Sequence, residues 1–420
     1  MINHKVQYRL LDRNIRYSYL DGIAFSFMLG ATFPYTGLYL LRFQGSPEMV
    51  NLISSLQPVI TSVITLLAAS YVNNITNKKP VAIKYGLAMR LSVLLIALVP
   101  LLPESWRAWM FFGLWLMVFI PWGINGLLWT PMTCNMIPEN MQGRFFGTRN
   151  ALTGITGLLG TFLTGIILAR LPFAPAFTMI FFISFAGTLL SLFFFTRQIE
   201  PLKRSPQTRK LPPPKFSWSD LNLKANFLTF RDPVYGSLFT LCCLTLFIFH
   251  IGFSMAGPLY ILRQIQELKF DNGTVGAVAT IQSLAALFGS YLGGHASGRF
   301  GYRYVLLFST LFLVIPPLIW AFSSQLTVLF LAAALWGLTG NAYMICFFFM
   351  VLAVSPDENR SRFIAMNTVV GNLAGAIGPL FGIGLMNLPK VGIHGALIFS
   401  SIIMLSGAAI SYRLARRGSF

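Results

Sequence analysis

Apolar residues in this chain are gathered into blocks of about twenty or more, each broken by a short polar stretch. The blocks lie near 17 to 42, 48 to 72, 80 to 102, 108 to 136, 145 to 170 and 174 to 197, then near 234 to 262, 272 to 296, 302 to 323, 326 to 354, 363 to 387 and 393 to 413. Each is long enough to cross a hydrocarbon layer as a helix, and none shows the two-residue alternation of a barrel strand. A helix satisfies its own backbone hydrogen bonds where no water is present, so twelve transmembrane helices are predicted. The largest polar break, 198 to 233, alternates Pro201, Pro206 and Pro212 to Pro214 with Lys203, Arg204, Arg209, Lys210 and Lys215. It is predicted to be a cytoplasmic linker. Within it, Phe216, Trp218, Leu221, Phe227 and Phe230 interleave with Lys224 and Arg231 behind a cap at Ser219 or Asp220, which predicts a short helix lying in the membrane interface.

The pattern is written twice. Pro138 to Gly147, PENMQGRFFG, is answered at Pro356 to Ala365 by PDENRSRFIA, with proline, acid, arginine and phenylalanine in register. Gly157 and Gly160 continue the match at Gly375 and Gly378, and LYLLR ending at Arg42 returns as LYILR ending at Arg263. The expected organisation is therefore one six-helix bundle over 1 to 197, the linker over 198 to 233, and a second bundle over 234 to 420. In such a duplicated membrane domain a binding site is expected near the midplane.

Composition agrees, because 55% of residues are hydrophobic and only 10% charged, too little polar surface for a water-soluble globule of this size. The formal charge of +19 is dealt out loop by loop. Of 31 Lys and Arg, 24 fall at the termini or after even-numbered spans, six fall on the opposite side, and Arg90 lies inside the third span. That bias puts both termini in the cytoplasm and argues against a nucleic-acid surface, which would be continuous. The first 16 residues lead into a span longer than a signal-peptide core, so the first helix is expected to be retained. Cys134, Cys242, Cys243 and Cys346 lie in apolar spans without metal-type spacing and read as buried thiols, implying neither disulfide nor metal. No phosphate-binding loop of the Gly-x-x-x-x-Gly-Lys type occurs, so ATP is not expected to drive this chain and no cofactor is implied.

Six plus six helices, a basic middle loop and both termini inside resemble the major facilitator superfamily. That family's Gly-x-x-x-Asp-Arg-x-Gly-Arg-Arg turn is echoed from Gly294 to Arg303, which keeps Arg299, Gly301 and Arg303 but has Gly298 where the aspartate belongs. The earlier copy, Asn74 to Lys79, keeps only the terminal basic pair Lys78 and Lys79. The resemblance implies alternating access by two rocking bundles around a small organic solute. It also implies a cytoplasmic latch, in which Glu139 with Arg144, and Asp357 or Glu358 with Arg362, pair with Arg149, Lys78, Lys79, Arg299 and Arg303. The plain reading of those charges is that of solvated topology signals, each exposed pair contributing no more than about 1 kcal/mol.

Candidate chemistry is sparse. Asp21 is the single acid assignable to a span; it is either a proton carrier or an anchor paired with Arg13 and Arg16. Arg90 either snorkels toward cytoplasmic water or faces a cavity, with Asp21 as its internal partner and a preference for anionic substrates. His250 is a proton carrier or an interhelix hydrogen-bonding residue. Gln57 and Gln282 hold matching places in spans two and eight, and Asn125, Asn150, Asn341, Tyr343, Asn367 and Asn372 are further polar candidates for a cavity or for helix pairing. Trp115, Trp122 and Trp129 recur every seven residues along one stripe of span four, as cavity wall or as packing. Gly154, Gly157, Gly160, Gly371, Gly375, Gly378 and Gly382 are expected to let helices approach closely.

The expected protein is an all-α plasma-membrane secondary transporter, monomeric, with a small-molecule substrate, the lipid bilayer and protons as its partners. The alternative is a non-transporting membrane assembly or sensor protein of the same fold; an enzyme would want paired acids or histidines at membrane depth. Reporter fusions at Gln207 and at the C-terminus are both expected to report cytoplasm, and opposite readings from the two would break the twofold organisation.

Overall fold

Residues 4–73, 75, 78–199, 228–232, 235–355 and 360–417 are described by a computed structural model. Among them are twelve long helical segments and no strand, the all-α membrane architecture expected. In chain order they are α1 His4–Thr32, α2 Pro47–Asn73, α3 Lys78–Ala97, α4 Glu104–Met136, α5 Glu139–Arg170 and α6 Phe173–Arg197. There follow α7 Gly236–Leu262, α8 Asn272–Phe300, α9 in two pieces Tyr302–Leu313 and Ile315–Phe322, α10 Leu326–Ala353, α11 Arg360–Met386 and α12 Gly392–Arg417. Eleven helical stretches are long and apolar enough to cross a membrane, and α2 is a twelfth long helix of 27 residues. Their outer faces carry exposed Leu95, Phe162, Phe288, Phe308 and Leu331, the surface a lipid solvent favours. The interfacial helix expected between Phe216 and Arg231 falls outside the described residues except for the short turn Leu228–Arg231.

Prolines set the irregularities. Pro34 lies in a 3-10 turn, Phe33–Tyr35, through which α1 continues into Thr36–Arg42. Pro316 and Pro317 open the second piece of α9, after a break at Val314. Pro58 sits inside α2, where it removes one rung of the hydrogen-bond ladder. Asp271 caps α8: its carboxylate accepts from the Thr274 hydroxyl and from the amides of Gly273 and Thr274. Those bonds hold its carboxyl below the ordinary value, so this cap contributes above the usual carboxylate range and is lost as the pH falls through the lowered one.

The chain forms two packed units. The first comprises the segment up to Tyr35 and that from Ile60 to Leu221, including α3 to α6; the second takes Thr36–Val59 together with α7 to α12. In the first unit, small residues let α1 lie directly on α5: a Cβ at Gly30 would strike the Gly157 carbonyl, and one at Gly160 would strike the Phe27 carbonyl. Thr161 and Thr164 use the same closeness to donate to the carbonyls of Gly30 and Ala31, at 2.9 and 3.3 Å. The C-terminal carbonyls of α6 are also claimed. Lys79 Nζ donates to Thr196 and Gln198 at 2.7 and 2.6 Å, and Asn14 bonds both the carbonyl and the amide of Ile199.

The second unit repeats the device. Gly378 abuts Ser254 and the Ile251 carbonyl where α11 meets α7, and Gly337 and Gly289 let α10 approach α8. Arg42 donates to Asn272 at 2.8 Å and to the Phe270 carbonyl at 3.3 Å. Its counterpart Arg263, buried in a π-helical turn, donates to Glu267 at 3.0 Å and to the Ser323 carbonyl at 3.0 Å, with His394 beside it. The two ends of the LYLLR repeat therefore both anchor a turn. Cys242, Cys243 and Cys346 are free and buried.

Gly160→Val is expected to lower the apparent melting temperature sharply, because the added carbons meet backbone rather than a yielding side chain, an overpacking cost of about 1–3 kcal/mol or more. Gly113→Val, where nothing lies within 4 Å, is expected to be silent in the same detergent melt.

Candidate functional site

Three charges of the first unit, Asp21, Arg90 and Arg149, converge on a cavity. Asp21 stands on α1, about two turns before the close α1–α5 crossing, and is buried to 6% exposure. Its Oδ1 accepts a hydrogen bond from Ser191 Oγ of α6 at 2.6 Å. Ser191 in turn accepts from Arg90 Nη2 of α3 at 3.0 Å, so serine relays the cation to the carboxylate. Arg90, 4% exposed, also donates through Nε to the Thr188 carbonyl at 2.5 Å and through Nη1 to the Gly86 carbonyl at 2.7 Å. Three donors of a rigid guanidinium fork are thus directed into two helix backbones and a hydroxyl. Arg90 does not snorkel to water; helix carbonyls take the place of water.

Arg149 of α5 closes the other side. Its Nη2 lies 3.9 Å from Asp21 Oδ2, its Nε donates to the Ser18 carbonyl at 3.4 Å, and its guanidinium rests over the Trp129 ring, 4.5 Å from the centroid. Gly22 makes this possible, since a Cβ there would stand 3.0 Å from Arg149 Cζ and Nη2. Read from sequence, Arg149 belongs to the cytoplasmic loop and its latch. It lies instead beside Asp21, because α5 begins at Glu139 and carries the arginine almost three turns into the helix. Arg13 and Arg16 are not Asp21's partners: Arg16 pairs with Asp12 at 3.0 Å on an exposed face, and Arg13 lies over the Tyr17 ring.

These groups line a cavity of about 370 Å³, within the size range of small-molecule sites. Asp21, Arg90, Arg149, Ser191 and Asn125 supply its polar wall; Phe25, Leu29, Met89, Trp122 and Trp129 supply the rest. The tryptophan stripe divides. Trp122 and Trp129 face the cavity, with Phe25 5.5 Å from Trp122, whereas Trp115 is buried among Phe33, Phe111 and Phe181.

The remaining candidates lie elsewhere. Gln57 falls in the part of α2 that packs with the second unit, the unit that also holds Gln282, Asn341 and Asn372, all half-buried. His250 of α7 stacks on Phe253 at 5.5 Å and Gly375 lies against its ring. Phe253 stacks on Trp336 at 4.6 Å, and Tyr260 and Tyr343 extend the aromatic group. Among the described residues, His250 Nδ1 and the hydroxyls of Tyr260 and Tyr343 find no hydrogen-bond partner although buried. Phe253, Tyr260 and Trp336 were not singled out in the sequence, where isolated aromatics in apolar spans carry no signal. Of the latch residues, Lys79 holds the end of α6, Lys78 is half-buried, and Arg299 and Arg303 lie over the rings of Phe300 and Tyr302. Asp357 and Glu358 and the side chains of Glu139, Arg144 and Arg362 lie outside the described residues.

A two-unit helical membrane protein with a charged, aromatic-walled cavity is the architecture of a secondary transporter. The profile of the Major Facilitator Superfamily matches residues 20–264 and 242–419, and the chain belongs to that family. It is similar to the multi-drug resistance efflux pump PmrA of Streptococcus pneumoniae, 24% identical over 312 residues, 73% of this chain and 71% of that one. Its fold is shared with a POT family transporter crystallised with a thioalcohol-conjugated peptide, with a TM-score of 0.73, 11% identity and coverage of 97% and 96% of the two chains. The D-xylose–proton symporter shares it as well, with a TM-score of 0.69, 14% identity and 98% of each chain. The protein is a secondary transporter, of a family that is not an enzyme class.

Ser191→Ala removes both Asp21's donor and Arg90's acceptor and is expected to destabilise the protein by about 1–3 kcal/mol, read as an earlier thermal melt. Ser191→Thr keeps the hydroxyl and is expected to recover most of the loss.

Proposed function

We propose that the cavity of the first unit is the substrate site and that Asp21 carries a coupling proton, making this a proton-coupled transporter of small organic solutes. The observation that carries the reading is the buried Asp21 carboxylate, hydrogen-bonded to Ser191 and 3.9 Å from Arg149 in the wall of a cavity. A carboxylate so placed has two states of very different charge cost, and an ionisable group at membrane depth is a functional group by default. His250 is the second titratable candidate, on the strength of its unpartnered Nδ1.

The proposed setting is the plasma membrane, with both termini and residues 198–233 in the cytoplasm and the chain working as a monomer in the bilayer. Alternating access is proposed between a bundle of residues 1–197 and one of 234–420. The Pro-acid-Arg loops at Glu139 with Arg144 and at Asp357 with Arg362 are proposed as its cytoplasmic latch, with Arg299 and Arg303 as facing cations. The resemblance to PmrA makes export of an organic compound one direction to test; the duplicated fold supports either direction.

Asp21→Asn keeps the side-chain volume and cannot titrate. In vesicles with a trapped pH dye, solutes chosen because they raise the melting temperature of the purified protein are expected to move protons with the unaltered chain. With Asp21→Asn they are expected to stabilise still but move none. Proton movement that survives in Asp21→Asn would transfer the role to His250, and solute that crosses without protons in the unaltered chain would make the protein a uniporter.

A further inference from the structure

The charge balance of the cavity specifies what it can hold. Two guanidiniums, Arg90 and Arg149, face one carboxylate, Asp21, and among the described residues no other charged side chain lines the space. One positive charge is left over among them even when Asp21 is ionised, on side chains that are themselves largely buried.

The two arginines are not equivalent. Arg90 is held by the carbonyls of Thr188 and Gly86 and by Ser191, and it stabilises the helices it joins. Arg149 makes one long hydrogen bond, at 3.4 Å to Ser18, among the described residues. Its approach to Asp21, at 3.9 Å, is an ion contact beyond hydrogen-bond range. Its flat face is supported by Trp129, which leaves the terminal nitrogens to reach a partner in the plane of the guanidinium. Around it, Phe25, Leu29, Met89 and Trp122 offer an apolar wall with a flat aromatic component, and Asn125 a neutral polar group.

We propose that the cavity binds an amphipathic organic monoanion, with its charged group on the terminal nitrogens of Arg149 and its apolar, planar body against Phe25 and Trp122. The inference rests on the reading of this cavity as the substrate site and names the class of solute it takes.

A consequence for coupling follows from the same geometry. Among the described residues the charged groups that face Asp21 are Arg149 from α5 and, through Ser191 of α6, Arg90 from α3; α4 contributes only neutral residues, Trp122, Asn125, Gly126 and Trp129. On α1 itself the nearest charges, Arg16 and Asp12, neutralise one another on an exposed face. An ionised Asp21 therefore competes with the incoming anion for Arg149, and a protonated Asp21 does not. Anion affinity rises as Asp21 takes up its proton, and by linkage the bound anion favours that uptake. Proton and anion are thus loaded together and released together, the relation needed for movement in the same direction. A site for organic cations would instead have proton and substrate exclude each other.

The test uses the full-length purified chain with 1-naphthoate and 1-naphthylmethylammonium, which share a ring system, differ in charge sign and each stay charged between about pH 6 and about pH 8. Naphthoate is expected to raise the melting temperature and the ammonium is not. Naphthoate is expected to bind at least about tenfold more weakly to Arg149→Gln, with partial recovery in Arg149→Lys. For the unaltered protein its affinity is expected to increase from about pH 8 to about pH 6, and Asp21→Asn is expected to show the tighter binding at both. Stabilisation by the ammonium alone, or by neither compound, overturns the anion site, and so does naphthoate binding that is indifferent to Arg149→Gln in a folded variant. Affinity that is the same in Asp21→Asn as in the unaltered protein overturns the link to Asp21. If naphthoate binds as expected but a pH gradient fails to drive it into vesicles, proton-coupled transport fails while the anion site stands.

Discussion

A carboxylate cannot be carried into hydrocarbon without a substitute for its water, and the first six helices are arranged around the substitute provided for Asp21. Serine on α6 donates to it, arginine on α3 holds the serine, and that arginine is itself held by helix carbonyls. Helices α1, α3 and α6 are thereby joined by polar contacts that would be unremarkable in water but have no competitor in lipid. The close glycine-mediated crossing of α1 on α5 then fixes how near Arg149 can come. Remove the carboxylate and two buried cations are left without their counter-charge; remove either cation and the carboxylate loses much of its compensation.

Much of the fold was legible in the sequence because lipid imposes a simple rule on the chain. Twenty apolar residues in a row have few structures open to them, and α3, α4 and α6 fall within a few residues of the blocks that predict them. The duplicated glycines were legible for a related reason: Gly160 and Gly378 each meet a neighbouring backbone, where a side chain would be excluded. The site was legible only in part. Asp21 and Arg90 announce themselves as charges in apolar surroundings, and Trp122 and Asn125 by their place on α4. Arg149 was hidden because it stands beside a genuine loop motif, and the first turns of a helix that starts in that loop look like loop in a one-dimensional reading. Nor does sequence reveal that Arg90 is satisfied by the Thr188 carbonyl, a backbone group with no signature in the chain.

The duplication has been filled unequally. The first unit places three charges, Asp21, Arg90 and Arg149, on an interior cavity, while the second builds an aromatic group from Phe253, Tyr260, Trp336 and Tyr343, with His250 stacked on Phe253. Its ionic contacts lie at a turn instead, where Arg263 meets Glu267 and His394. The same helical plan has thus been retained as scaffold while its interior chemistry diverged, as is common where function resides in a few side chains rather than in the fold.

Two helices, α1 and α2, change packing partners along their length, and each does so beside a proline. The first unit gives way to the second after Tyr35, directly behind Pro34 in its 3-10 turn, and the reverse exchange comes after Val59, directly behind Pro58. A continuous α-helix is a stiff rod and would force whatever it touches at one end to follow the other. A missing amide proton at each crossover makes these two rods jointed at the places where they pass from one set of neighbours to another. The chain thereby passes from one packed unit to the other without carrying an unbroken ladder of backbone hydrogen bonds through either crossover.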